Sequence, residues 1–499
     1  MLNIIKFYRM LIVCILFLST FSGHAQIGIG TVTPSASSAL DITSTTQGLL
    51  TPRMTTAQKN AIVTPADGLM VYDTDLKLFY YYSTGTSTWN PLNSTSSGRL
   101  NFKRIKSTDV LATVLAAELA VGGNTKYVLN TNTLYEINGT VAFNLPIDLN
   151  NAYVTGLDAN EDVISSAGTI FEGATGGSVR FLTLRGARAF NVTGPGAGTS
   201  TSLLVQNVIV DGNNSGTVGT ISGFGLYFGN VVQFIRNTNG LQYSNIGNLL
   251  LNSQAWSITN AGTFETFFGT FGLIQKNSGY STVDSSDIAL DVSGTLGTLT
   301  VGTGVLLGTV FSGTSSNPYV RGYTASATYP GYNFSTAWTV DSPGIPREGD
   351  SDATGDINLD AAVGSGVSTA FTGTGTSSRI KLNGTTTSSS LFRFTRDGNN
   401  RITYRGNKTR YFQVTASVSY QGTATDLTLI LYFARNGVVL TDTKVYGRPT
   451  SGFLSSGGIL ALPIVGTIQL KKDDYIEIWG ERYDGTGNIS TVSLNLTAK

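Results

Sequence analysis

Two strand-like runs in this chain fall into step at a single offset: Val179-Arg180-Phe181-Leu182-Thr183-Leu184-Arg185-Gly186 and Val205-Gln206-Asn207-Val208-Ile209-Val210-Asp211-Gly212. Looser echoes follow at Asn248–Asn252, Ile288–Val292 and Leu296–Val301. From Lys126 to about Tyr329, short apolar runs alternate with Asn, Gly, Asp, Ser and Thr. One supersecondary unit every few tens of residues is the mark of a solenoid, in which each coil hides its apolar residues against the next. The expectation is an all-β chain with a right-handed parallel β-helix over 100–334. A β-sandwich also suits many short strands with turn signals, and Asn138-Gly139 or Asp211-Gly212 would serve either fold.

Composition supports short strands and tight turns. Of 499 residues 59 are Gly and only 13% are charged, about half the usual share, while a 40% hydrophobic content is ample for a core and argues against disorder. A net charge of +1 argues against nucleic acid as a partner.

The first residues set an expected compartment. Lys6 and Arg9 precede an apolar run from Met10 to Leu18, and Ser22-Gly23-His24-Ala25 supplies small residues before Gln26. This is the build of a secretory signal peptide over 1–25, and the run is too short to span a membrane. No transmembrane segment is expected in the mature chain, which would be secreted or held at the cell surface. Cleavage removes Cys14 and His24, the only cysteine and histidine. Disulfides, imidazole or thiolate metal sites and histidine-dependent nucleophiles are thereby excluded. No catalytic residue, cofactor site or metal ligand is assigned, and no cofactor is expected.

Within 26–99, strand-like Gly68–Tyr72 and Leu78–Tyr82 alternate with Pro- and Thr-rich connections, and Thr55 to Ala61 reads as a short helix capped by Thr55. Nothing there encloses a core of its own. The strings GIGTVTPSASSALDI, GLLTPRMTTAQKNAI and PADGLMVYDTD resemble the N-terminal region of exported surface proteins of Bacteroidetes bacteria, and GIGTVTP is similar to segments of phage tail-fibre proteins. Lacking a core, 26–99 reads as an attachment segment that packs against copies of itself or against the next domain, and the resemblance says little about activity. Ser94 to Gly98 reads as a polar linker. Asn101 to Ala120 reads as a helix with Val110, Leu111, Val114, Leu115 and Leu119 on one face, capping the coils. The rhythm of the coils is similar to that of pectin-lyase-type β-helices and phage tailspike bodies.

Residues 335–375, Gly-, Ser- and Thr-rich, read as a second linker. In 376–499 the alternation is clean: Phe412, Val414, Ala416, Val418 and Tyr420 share one face, Leu427, Leu429, Leu431 and Phe433 another, and Asn436-Gly437 offers a hairpin turn. RYFQVTASVSY, LILYFARNGVVL and IQLKKDDYIEIW, in that order, resemble the jelly-roll heads of the C1q and tumour-necrosis-factor families, with Asp473 where those families carry glycine. The resemblance implies a C-terminal jelly roll and a homotrimer.

Several constellations were candidates for chemistry. Asp284, Asp287 and Asp291, and separately Asp158, Glu161 and Asp162, are carboxylates of the kind a glycosidase pairs across a sugar; they also suit solvated turns. Asp350 to Asp360 places oxygen donors alternately, like a calcium loop, but Ala361 stands where a bidentate carboxylate belongs. Phe79, Tyr80, Tyr81, Tyr82 and Trp89 could stack on sugars or form a core. Arg393, Arg396, Arg401, Arg405, Lys408 and Arg410 could form a basic rim meeting an anionic glycan. The functional expectation is a structural, adhesive, fibre-like protein that binds a cell-surface or polysaccharide ligand and is not an enzyme; the alternative is a secreted polysaccharide hydrolase or lyase using carboxylates of the coils. N-terminal sequencing of the protein purified from outside an expressing cell should begin at Gln26, and a start at Met1 would refute the signal peptide.

Overall fold

The structure, a computed structural model, describes residues 2–18, 26–92, 101–131, 133–212, 216–324, 326–448 and 458–499. The fold is all-β and divides into Met1–Leu100 and Asn101–Lys499. In the first unit a helix spans Leu2–Leu18. Among the described residues no helix is long and apolar enough to cross a membrane. The expected cleavage site with His24, and the expected linker Ser94 to Gly98, lie outside the described residues.

Beyond that helix the first unit holds little core. Ile27–Ile29 pairs in parallel with Leu40–Ile42, and Arg53–Met54, Met70–Asp73, Leu78–Ser83 and Thr88–Pro91 form a four-stranded sheet in that order. Thr55 caps the helix Thr56–Asn60 through a capping box with Gln58. This helix delivers Lys59, 3% exposed, to Asp73, with Nζ donating to the carboxylate at 2.8 Å and standing 3.5 Å from the Tyr80 ring centre. A buried ion pair and one cation–π contact thus do the work of an apolar centre.

The second unit begins with stacked coils. Every pairing between two strands lying within 102–341 is parallel, which a sandwich built of hairpins would not give. Following the register from coil to coil, Lys103, Tyr135, Val154, Val179, Val205, Gly229, Leu251, Lys276, Leu306 and Val340 stand in one column. Tyr127, Ile147, Phe171, Phe190, Gly219, Leu241, Glu265, Leu290 and Val320 stand in another. Apart from Lys103, Gly219, Gly229, Glu265 and Lys276, all are buried apolar residues of a single core. Two places beyond the first column six successive coils turn through a left-handed residue: Phe181, Asn207, Val231, Ser253, Ser278 and Gly308 have φ between 51° and 65°. This conformation is costly for a β-branched residue such as Val231, yet it recurs because the corner falls at the same place in each of these coils.

Besides Lys103 at the open end, the two columns hold one ion pair in their interior. Lys276 and Glu265 lie in the same coil, and their side chains meet inside it at 3.0 Å, 2% and 1% exposed. Burial holds the Glu265 carboxyl above its ordinary range even though the Lys276 ammonium pulls it down.

At the N-terminal end, the helix expected over Asn101 to Ala120 is shorter. Phe102–Lys106 is a strand paired with Leu134–Asn138, and two short helices occupy Leu111–Val114 and Ala116–Val121. The strand prevails because its backbone completes the first coil's ladder. Leu111 and Leu115 join the coil core while Val110 is 68% exposed, and buried Glu118 accepts hydrogen bonds from Lys103 at 2.6 Å and Tyr135 at 2.8 Å, closing the first column.

The stretch 335–375 is not a linker. Trp338–Asp341 is the strand of the last coil, with the Trp338 indole packed over Gly304, where even a methyl group would clash with the ring at 2.2 Å. Gly355–Asp360 already belongs to the following unit, paired with Ile489–Ala498. A Gly-, Ser- and Thr-rich composition marked the region as loose, but its alternate residues are buried.

The remaining strands form two antiparallel sheets around a second core. One runs Gly355–Asp360, Ile489–Ala498, Arg410–Gly422, Ile459–Leu470; the other runs Phe394–Arg396, Ile402–Tyr404, Tyr475–Asp484, Thr428–Arg435, Val438–Val439. Phe412, Val414, Val418 and Tyr420 on the first sheet face Leu429, Leu431 and Phe433 on the second, all fully buried. Asn436 and Gly437 make the tight hairpin with φ of 53° and 75°. Asp473 adopts φ 70°, a left-handed conformation that glycine takes at less cost.

Replacing Lys276 by Met should leave Glu265 buried without its partner and lower the unfolding free energy by about 3–5 kcal/mol. The double change Lys276→Met with Glu265→Leu should recover most of it, and urea unfolding curves of both variants measure this.

Candidate functional site

Of the two carboxylate groups singled out in the coils, Asp158, Glu161, Asp162, Asp284 and Asp287 lie in connections between strands, while Asp291 ends the strand Ile288–Asp291. Asp162 accepts backbone N–H groups of Gly139, Leu157 and Asp158 at 2.7 to 3.0 Å; burial raises its pKa, but these donors outweigh it and hold the carboxyl below its usual range. Asp158 accepts from the Asn160 amide. Asp291 is tied to Arg321 at 3.0 Å and to Ser293. Asp287 accepts the Gly262 N–H at 2.7 Å, and burial, with Asp284 nearby, pushes its carboxyl up. These groups stitch one coil to the next; sequence proximity reported their place in or beside the connections.

The calcium-like stretch does not form a loop. Asp350–Asp352 is a single helical turn and Gly355–Asp360 a strand, so Asp356, Asn358 and Asp360 are spread along one strand face instead of converging. Among the described residues no group of three or more potential metal ligands comes together. Asp356 instead accepts from Ser388 and from the Ser390 N–H, and Asp350 from the Asn407 and Lys408 N–H groups.

The aromatic group of the first unit is divided by strand alternation. Phe79 and Tyr81 are exposed on one face, with Phe79 packed edge-on against Tyr72 at 5.1 Å. Tyr82 packs against Trp89 on the other face at 5.4 Å, the face on which Tyr80 meets Lys59. On the first face Leu49 and Leu50, 64% and 78% exposed, border a cleft of about 260 Å³ with Tyr72 and Phe79. So many exposed apolar side chains on so small a unit mark a contact surface.

The basic residues do not form one rim. Arg401 pairs with Glu477 at 2.7 Å and lies over Tyr475, Arg405 pairs with Asp473, and Arg410 donates to the Asp350 carbonyl while lying over Phe412. Arg393 is buried. Its Nη2 donates to the Trp338 carbonyl at 2.8 Å and its Nη1 lies 3.7 Å from Asp350, so one guanidinium ties the last coil to the two-sheet unit.

Two features were not read from the sequence. The first is the outward face of the sheet that carries Arg410–Gly422 and Ile459–Leu470. On these two strands cross-strand pairs Tyr411/Gln469, Gln413/Thr467, Thr415/Val465, Ser417/Pro463, Ser419/Ala461 and Gln421/Ile459 form an uncharged patch, while Asp356 and Asp360 lie on the same face at the far edge of the sheet. Tyr411, Val465 and Ile459 are 65%, 59% and 50% exposed. Pro463 stands on the edge strand, where its missing N–H blocks growth of the sheet sideways and leaves the face as the surface for contact.

The second is a groove of about 810 Å³ where the last coil meets the two-sheet unit. Tyr332 stacks on Phe392 at 3.9 Å and 18°, and Tyr329 meets the same ring edge-on at 5.5 Å. Ser388–Ser390 and Arg396 complete the wall. Beneath it Glu348, fully buried, accepts the Asn333 and Phe334 N–H groups at 2.6 and 2.9 Å. Burial pushes its pKa to about 7 against those donors and Arg393.

Residues 28–108 match the family model of a phage tail like trimerisation region. No curated protein matches the chain. Among solved structures, the Eiger tumour-necrosis-factor protein from S. frugiperda aligns at 10% identity over 30% of this chain and 92% of its own, with a TM-score of 0.20. The enzymatically active domain of bacteriophage CBA120 tailspike protein 4 aligns at 9% identity over 90% of this chain and 77% of its own, with a TM-score of 0.29. At these TM-scores neither alignment fixes the fold, which rests on the strand pairing described above.

Glu348 ionises near its model-compound value in the unfolded chain and near 7 in the fold, so the native state holds its proton more tightly. The stability it contributes is complete below about pH 4.5 and is lost as pH rises through about 7, to the extent of about 3 kcal/mol. Glu348→Gln should match the parent at pH 5 and exceed it at pH 8 in denaturant midpoint.

Proposed function

We propose that this chain is an exported, homotrimeric, fibre-like surface protein that works by binding. In this reading 26–99 is an attachment and trimerisation segment, the coils are a right-handed parallel β-helix that acts as a shaft, and the two-sheet unit is a jelly-roll head. The observation that carries it is the match of residues 28–108 to a trimerisation region. Two surface features support it. The first unit leaves Leu49, Leu50, Phe79 and Tyr81 exposed, and the patch around Val465 on Arg410–Gly422 and Ile459–Leu470 carries no charge, which suits contact between copies of the chain.

Adhesion is favoured over catalysis because the carboxylates of the coils are spent on backbone N–H groups and arginines, whereas glycoside hydrolysis needs a pair held across a bound sugar. Size-exclusion chromatography with light scattering should give three times the chain mass. Val465→Arg, which places a charge inside the uncharged patch, should lower the thermal midpoint of the assembly. A monomer mass for the unaltered chain would overturn the proposal.

A further inference from the structure

The groove at the end of the coils has a chemistry of its own. One wall is aromatic: Tyr332 is held flat against Phe392, itself 1% exposed, so its ring is a fixed platform, and Tyr329 stands beside it. Fixed aromatic faces pair with the apolar C–H faces of pyranose rings at little cost in side-chain entropy. The other wall is the turn Ser388–Ser390, pinned from below by Asp356, which takes the Ser388 hydroxyl at 3.0 Å and the Ser390 N–H at 2.7 Å. This presents small hydroxyl groups at defined positions.

Charge selects further. Arg396 is exposed and oriented by one hydrogen bond from Nη1 to the Thr386 carbonyl at 2.9 Å. No acidic side chain pairs with it among the described residues, and the adjacent Asp397 is engaged by the Asn399 N–H and Arg401. The remaining N–H groups of Arg396 form a fork suited to a carboxylate. A groove of about 810 Å³ is within the range that holds an oligosaccharide of a few units.

We infer that this groove binds an acidic oligosaccharide, with a sugar ring on Tyr332 and a uronate carboxylate on Arg396. The inference rests on the adhesive reading above and names its ligand class and site. Isothermal titration of the full-length assembly with oligogalacturonate and oligomannuronate hexamers, against cellohexaose, tests it. At least one uronate hexamer should bind, and at least tenfold more tightly than cellohexaose. Tyr332→Ala should weaken that binding tenfold or more while Tyr332→Phe retains it. Arg396→Gln should abolish the preference for the uronate over cellohexaose.

Circular dichroism melts and light scattering of each variant, unchanged from the parent, show that the groove alone was altered. Absence of binding to both uronates, equal affinity for cellohexaose, or uronate affinity indifferent to Tyr332→Ala and Arg396→Gln would each overturn the inference. In every such case a mass of three chains would leave the fibre reading standing, whereas a monomer mass strikes at that reading instead.

Discussion

Everything in the second unit depends on coils stacking in a constant parallel register. A lone coil has no partner for its backbone groups and nowhere to hide its apolar side chains; the next coil supplies both. Once Val179 is set on Val205 and Val205 on Gly229, the corner must follow at a fixed place. Phe181, Asn207 and Val231 therefore share a left-handed backbone although only the asparagine favours it. Local conformational cost is accepted because each corner that slipped would turn a whole row of side chains to the wrong face.

The same register explains which parts of the fold could be read from the amino acids. The strings from Val179 and Val205 line up in the sequence because they lie on one another in space. The alternation of Phe412 to Tyr420, the Asn436-Gly437 turn and the Thr55 cap are likewise short-range signals, written within a few residues. The helix and linker readings failed where the partner was remote. Phe102–Lys106 becomes a strand only because Leu134–Asn138 lies beside it, and Trp338–Asp341 only because the preceding coil offers an open edge.

The candidate site was legible to a lesser degree for the same reason. Carboxylates close in sequence proved to sit in connections or, for Asp291, at a strand end, each held by its own local partners. The groove, by contrast, gathers Tyr329 and Tyr332 from the end of the coils with Ser388–Ser390 and Arg396 from the next unit, and no local pattern links these stretches. Lys276 and Glu265 are only eleven residues apart, yet each looks like an ordinary polar residue of a strand until the two columns are seen to face each other across the interior.

The first column also shows what the stack leaves unconstrained. Val154 follows Tyr135 after 19 residues, while Val340 follows Leu306 after 34, and both steps land on the same inward position. In the longer step the surplus falls in the segment between Val320–Arg321 and Trp338–Asp341, which Phe334 pins into the core. Tyr329 and Tyr332 stand just ahead of that anchor, so the residues around them can be exchanged while Phe334 keeps its place. Recognition can thus diverge quickly on a scaffold whose interior scarcely changes.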